Sequence, residues 1–281
     1  MISVIVPTHN RPSMLRRALA SLVTQSYSDL EILVIDDAST VDMSTVVRGM
    51  NDSRVRYIRH ERNRGAAAAR NTGIDAARGV YVAFLDDDDE WEPKKAEIQV
   101  KALEKYDAVL TMSDIADGRG LRHSLNRAVW TIDDFRIGMP PVGGTSALMA
   151  RTDLIKELRF DERLPRCQDW DLLIRLAQRV AIGFVPEQLV RYNDGEHLRI
   201  TNAAVTTTMG LDETEKRLRF FEKHRAFFGQ QWYRYHLAGA LLYGIRHQPQ
   251  KTRRILDAVR RCGVTAVVRT LAMRLQQMAR G

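Results

Sequence analysis

The first half of the chain alternates between two hydrophobic periods. "SVIVPT" is an unbroken, β-rich apolar run, and behind it Pro12 begins a segment in which Leu15, Leu19, Leu22 and Val23 recur at helical spacing. "LEILVIDD" and "VRYIRH" read as a second and a third strand. "GAAAARNTGIDAARG" reads as a helix closed by Gly79, and "VYVAFLDD" as a fourth strand buried on both faces. After Pro93 the helix "KKAEIQVKALEKY" leads into the strand "DAVLTMSD". Continuous apolar strands separated by helices predict a mostly parallel sheet covered on both faces, with its ligand crevice outside the carboxyl ends of the strands.

From 114 to 144 the period fails, and glycine, proline and polar residues take over, as expected of a long excursion over a site. "TSALMAR" then resumes a strand, and "DWDLLIRLAQR" forms an amphipathic helix with Leu172, Leu173 and Leu176 on one face. Beyond 208 the pattern is helical to the end. The expected organisation is an α/β domain over 1–208, divided near 113, followed by a helical region over 209–281.

Composition narrows the possibilities. At 281 residues and 44% hydrophobic content the chain can bury one large core or two unequal ones. Its two cysteines, Cys167 and Cys262, have neither the spacing of a disulfide framework nor that of a zinc site, which fits a reducing compartment. No charged segment precedes the first apolar run, and no stretch approaches the ~18 apolar residues of a membrane span, so the expected location is cytoplasmic. Of the net charge of +8, seven charges fall within 251–281, where one lysine and seven arginines face Asp257 alone. The main body is therefore close to neutral, which argues against a basic nucleic-acid groove across it.

Neither GxGxxG nor GxxxxGK[ST] follows the first strand. Polar residues instead stand at the ends of three strands: Thr8, His9 and Asn10, then Asp36 and Asp37, then Asp86 to Asp89. Two carboxylates ~4 Å apart repel by roughly 4 kcal/mol at an effective dielectric near 20, so a converging acidic set calls for a cation. Hard oxygen donors select Mg²⁺ or Mn²⁺. A solvated acidic turn capping the helix after Pro93, aided by Glu90 and Glu92, is the competing reading.

With these motifs in hand, "SVIVPTHNRPSML", "EILVIDDAST", "NRGAAAARNTGIDAARGVYVAFLDDDDEW" and "CQDWDLLIRLA" together resemble the family 2 glycosyltransferases over roughly 1–195. The resemblance implies a GT-A fold: a mostly parallel, mixed sheet flanked by helices, here with a C-terminal helical extension. It also implies an inverting enzyme that moves a sugar from a nucleotide-diphosphate donor, expected to be UDP-linked, to an acceptor hydroxyl in cell-surface polysaccharide or glycolipid assembly. The nucleotide-sugar half would be about 1–113 and the acceptor half about 114–208, with "PPVGGTSALM" lining the acceptor side.

Carried over by position, Pro7, Thr8 and Asp37 would hold the base, with Asp36 as a structural partner and His9 and Asn10 nearby. Asn63, Gly65 and Arg70 would lie against the base and diphosphate, Arg70 as a forked donor. Asp86 and Asp87 would face the ribose and sugar, while Asp88 would carry Mn²⁺ or Mg²⁺, with Asp89 as support or second ligand. His197 matches a position that some relatives place near the diphosphate or metal. In "QDWD" the implied base is Asp169, against a helix N-cap role, and Asp171 is next in line. Gln168 departs from the family's usual Glu. That departure keeps open a non-catalytic sugar-nucleotide-binding subunit of an assembly complex.

On a helical wheel for 251–262, Ile255, Ala258, Val259 and Cys262 share one face, and Arg253, Arg254, Arg260 and Arg261 the other. The arginine face is expected to lie on anionic lipid beside a lipid-linked saccharide acceptor, against the alternative of a terminal helix packed on the body. Nucleic acid is not the expected partner, because 244–281 contain no Phe, Tyr or Trp on which bases could stack.

Overall fold

The structure is a computed structural model and describes residues 1–115, 128–137, 144–192, 211–243, 245 and 250–279. The chain divides into two compact units, Met1–Glu162 with Gln168–Gly195, and Arg163–Cys167 with Glu196–Gly281.

The first unit is built on one mixed sheet. Strands β1 (Ile2–Thr8), β2 (Leu30–Asp36), β3 (Val55–Arg59) and β4 (Tyr81–Phe84) run parallel, in the spatial order β3-β2-β1-β4. The sheet continues through β8 (Leu148–Arg151), antiparallel to β4 and to β6 (Ala108–Ile115). β9 (Ile182–Tyr192) then lies parallel to β6. The two-residue strands β5 (Glu90–Trp91) and β7 (Val129–Trp130) both add antiparallel to β9. β1 and β2 are buried at every position, which is why they read as continuous apolar runs.

Helix α1 (Pro12–Val23) starts with Pro12 in its first turn and buries Leu15, Leu19 and Leu22. These side chains join Val4, Ile32 and Val34 of the strands in one core. The short α2 (Ser44–Arg48) and α3 (Ala66–Ala76) complete the parallel half. α4 (Lys95–Ala102) carries Lys95, which is wholly buried. Its Nζ stands 3.6 Å from the centre of the Trp91 ring and donates to Gln99. Burial holds this amine well below the ordinary lysine range.

Several boundaries differ from the pattern. α3 ends at Ala76, with Ala77 already in extended conformation, and Gly79 serves a different purpose. A β-carbon there would lie 2.7 Å from the carbonyl oxygen of Met1, so the residue lets the chain pass against β1. β4 stops at Phe84, leaving the aspartates in a turn closed by the Asp89 N–H on the Asp86 carbonyl. "TSALMAR" is half 3₁₀ turn (Gly144–Ala147) and half strand. Inside the stretch read as irregular lie the strand Val129–Trp130 and α5 (Ile132–Ile137). α6 (Thr152–Leu158) and α7 (Gln168–Ala177) follow, and α7 buries Leu172, Leu173 and Leu176 as its period predicts.

The described part of the second unit is helical: α8 (Leu211–Lys223), α9 (Arg225–Leu241), α10 (Lys251–Cys262) and α11 (Val264–Ala279). α9 packs against the other three. Phe220, Phe221 and Phe228 form an edge-on aromatic cluster around His224. Ala258 and Cys262 are buried, so the apolar face of α10 is spent inside the unit. Among the described residues, no helix is long and apolar enough to cross a membrane.

Candidate active site

The crevice forms where the chain changes direction. From β1 the sheet extends outward through β2 and β3, and then the chain returns to place β4 on the opposite side of β1. Thr8 pairs in register with Asp36, the Asp37 N–H donates to the Thr8 carbonyl at 2.9 Å, and the Leu85 N–H donates to Ile5. Three polar strand ends are thereby gathered at one edge, the switch point at which open α/β sheets bind ligands.

On one side of that edge the two aspartates after β2 divide their labour. Asp36 is fully buried, accepts from the Ser39 N–H (2.9 Å) and takes the Tyr57 hydroxyl. Burial and this carboxylate push the Tyr57 phenol above its usual range. Asp37 accepts from His60 Nδ1 (2.8 Å), the Arg64 N–H (2.8 Å) and the Gly65 N–H (2.7 Å). It therefore fixes the loop that presents Asn63, an exposed residue, and Gly65, whose φ of 86° suits glycine. His9 and Asn10 are exposed at the mouth, His9 Nδ1 bonding the Asp37 carbonyl and Asn10 tying down Ser39 and Thr40. Pro7 lies buried two residues before His9.

On the other side, each aspartate of the acidic turn has a protein partner, and one arginine serves two of them. Thr8 Oγ1 donates to Asp87 at 2.7 Å. Arg11 Nη1 lies 3.2 Å from both Asp87 and Asp88. Arg70 donates to Asp86 at 2.6 Å, joined by the Thr145 hydroxyl at 3.2 Å. Asp89, nearly inaccessible, accepts from Ser146 at 2.7 Å, so it supports the turn. The like charge is thus offset in part by two arginines, neither of them recognised in the sequence as a counter-ion. Burial nonetheless raises the Asp87 carboxyl to about 6, against the opposing pull of Arg11 and Thr8.

The 3₁₀ turn Gly144–Ala147 ties this acidic turn to the helix that follows. Ser146 accepts from the Asp86 N–H as it donates to Asp89, and its carbonyl accepts from Trp91 Nε1 at 3.2 Å. The Ala147 carbonyl accepts from Gln99, the partner of Lys95. A β-carbon on Gly144 would stand 3.8 Å from Asp169 Oδ2. Asp169 occupies the first turn of α7, where burial raises its carboxyl above the usual range. The Trp170 N–H and Arg70 oppose that rise, and Asp86 adds to it. Asp171 is different: it is fully buried and locked to Arg175 at 2.6 Å, which leaves it structural. His197 lies outside the described residues.

Two features suit a ligand with phosphate and metal. Arg70 Nε is a buried donor without a partner, beside a guanidinium already aimed at the turn. Asp86 and Asp88 are hard oxygen donors at the crevice edge, the set that Mg²⁺ or Mn²⁺ supplements with substrate phosphates and water. Among the described residues no three metal-ligating side chains cluster, so such an ion would need those outside donors.

The sequence profile of the glycosyl transferase family 2 matches residues 3–150, and the chain belongs to that family. An uncharacterized glycosyltransferase of Rickettsia felis is 34% identical over 207 residues, covering 69% of this chain and 33% of its own length. The chain thus spans about a third of the length of that relative. A putative colanic acid biosynthesis glycosyl transferase of Escherichia coli K12 is 26% identical over 272 residues, covering 91% of this chain and 92% of its own. A beta-1,3-glucosyltransferase of Escherichia coli, named for UDP-Glc and GlcNAc-diphosphoundecaprenol, is 36% identical over 105 residues, 37% of this chain and 42% of its own. Among solved structures, TarS of S. aureus with UDP-GlcNAc superposes with a TM-score of 0.65 at 19% identity, covering 96% of this chain and 71% of that one. A mannosyltransferase of Pyrobaculum calidifontis, in complex with GDP-Man and Mn²⁺, gives 0.63 at 18%, covering 99% and 80%. These likenesses establish the GT-A fold.

Proposed function

We propose that the chain is an inverting glycosyltransferase that moves a sugar from a UDP-linked donor to a hydroxyl of a saccharide acceptor, lipid-linked in polysaccharide or glycolipid assembly. The observation that carries this reading is the placement of Asp169, whose Oδ2 would lie 3.8 Å from a β-carbon on Gly144, beside the Thr145 whose hydroxyl donates to Asp86. Base and donor end are therefore within electrostatic reach of each other.

The nucleoside lies over the β1 and β2 ends, on the loop that Asp37 fixes, and the diphosphate lies toward the guanidinium of Arg70 that faces the acidic turn. Asp88 and Asp86 would hold Mn²⁺ or Mg²⁺, which when bound would supply Lewis-acid stabilisation of the departing diphosphate. Asp169 takes the acceptor hydroxyl proton while that oxygen bonds to the anomeric carbon. The bond from that carbon to the β-phosphate oxygen breaks, and its electron pair leaves with the nucleoside diphosphate. One displacement inverts the centre. A carboxylate raised by burial is a better base than an ordinary one, and it suits late proton removal from an acceptor attacking an oxocarbenium-like centre.

A screen of UDP, GDP and dTDP sugars, with and without Mn²⁺, tests the reading: one donor should be consumed with inversion. A second reading, a non-catalytic binding subunit, draws on Gln168, which stands beside the base where the family pattern has Glu. Tight nucleotide binding without turnover of any donor would favour it.

A further inference from the structure

A cleft of about 370 Å³ opens in the second unit between α9 and the start of α11. Arg234, Arg269, Gln231, Tyr235 and Thr265 line it, and no lining residue is acidic. Neither arginine is ion-paired among the described residues. Arg269 is held by stacking, its guanidinium 5.3 Å from the Trp232 ring and 5.4 Å from that of Tyr235. That posture leaves the edge of a planar donor fork for an oxyanion.

The rim is apolar. Val264 and Val268, one turn apart on α11 and each adjacent in sequence to a lining residue, are 62% and 57% exposed. On α10, Leu256 is 54% exposed at helical spacing between the exposed Arg253 and Arg260. Water-facing valine and leucine on helices that also carry unpaired arginine suit the boundary of a bilayer.

We propose that this face docks on an anionic lipid bilayer, with a head-group phosphate in the Arg234–Arg269 cleft and Val264, Val268 and Leu256 entering the interface. The surplus of arginine over 251–281 supplies the complementary charge. Nucleic acid fits less well, because the rings of Trp232 and Tyr235 already carry Arg269. This surface lies outside the catalytic reading and stands or falls separately, since its test measures binding without donor.

The full chain is sedimented with vesicles of phosphatidylcholine alone and of equimolar phosphatidylcholine and phosphatidylglycerol. Binding is expected only to the second, weakening with salt. Arg234→Gln with Arg269→Gln should lower it by about tenfold or more, as the loss of two charges at a lipid surface implies. Val264→Ser with Val268→Ser should weaken it even at low salt, and circular dichroism should confirm that both variants fold. Equal binding to both vesicles, undiminished binding by either folded variant, full displacement by inorganic phosphate, or tighter capture by single-stranded DNA would each overturn the proposal. A variant pair that does not fold is replaced by Arg269→Lys, which keeps charge but loses the stacked fork and should still bind more weakly.

Discussion

One nitrogen of Arg11 lies 3.2 Å from Asp88, the carboxylate proposed to hold a divalent ion. In the free protein this guanidinium is the counter-ion of the turn, and an incoming metal must share Asp88 with it. Arg11→Gln should therefore tighten Mn²⁺ binding by about tenfold, the effect of roughly 1.4 kcal/mol of relieved competition, and lower the melting temperature. Calorimetry and thermal melts check the two halves. Weaker Mn²⁺ binding would mean that Arg11 holds the turn open for the ion.

Asp88→Asn removes the charge attraction while keeping a similar shape. UDP binding by this variant should become indifferent to Mn²⁺. If the metal still strengthened binding as in the wild type, the ion would belong elsewhere.

For Asp169→Asn, nucleotide and metal affinity should persist while transfer falls by about 10²–10⁴-fold, the range of a positioned base. Because burial raises this carboxyl, wild-type transfer should climb with pH through a limb above the ordinary carboxylate range, and the variant should lack that limb. A variant that unfolds instead would mark Asp169 as a helix cap.

Asp87 gives a stability test with a defined sign. Its carboxyl titrates at about 6 in the folded chain against 3.8 unfolded, so between those values the folded state holds the extra proton. Stability is thus lost as pH rises through that window, by up to about 3 kcal/mol. Asp87→Asn should melt later than wild type at pH well above the window, with the gain disappearing below it. An equal difference at both ends would assign the effect to packing.

Ser146→Ala leaves a nearly inaccessible Asp89 without its 2.7 Å donor, a loss of about 1–3 kcal/mol. Since the same turn sets Asp86 and adjoins Asp169, kcat should drop more than donor affinity. Ser146→Thr should restore much of it. A pure stability loss with unaltered kcat would confine Ser146 to the scaffold.

The parallel half of the fold was legible because β1, β2 and α1 are buried in the pattern their apolar periods dictate. β9 escaped notice, since Glu187 and Gln188 interrupt an 11-residue strand whose central residues are exposed and whose pairing with β6 shifts register. In the site, the strand-end acids could be read from position alone. Their partners could not: Arg11 and Ser146 lie 76 and 57 residues from the carboxylates they serve, and no local pattern encodes such distances. Asp37 shows the limit most plainly. Its place at the strand end was visible, but its grip on the loop at Arg64 and Gly65 depends on β2 and β3 being neighbours.

Lys95 carries one more consequence. Sealed against Trp91, with burial easing the loss of its proton, its amine is a nucleophile that no reagent can reach while α4 stays docked. Acylation of this one lysine therefore clocks the opening of the segment beneath the acidic turn. A bound nucleotide sugar that braces the turn should slow that clock, so mass spectrometry of a single tryptic site would read out ligand engagement with no catalysis required.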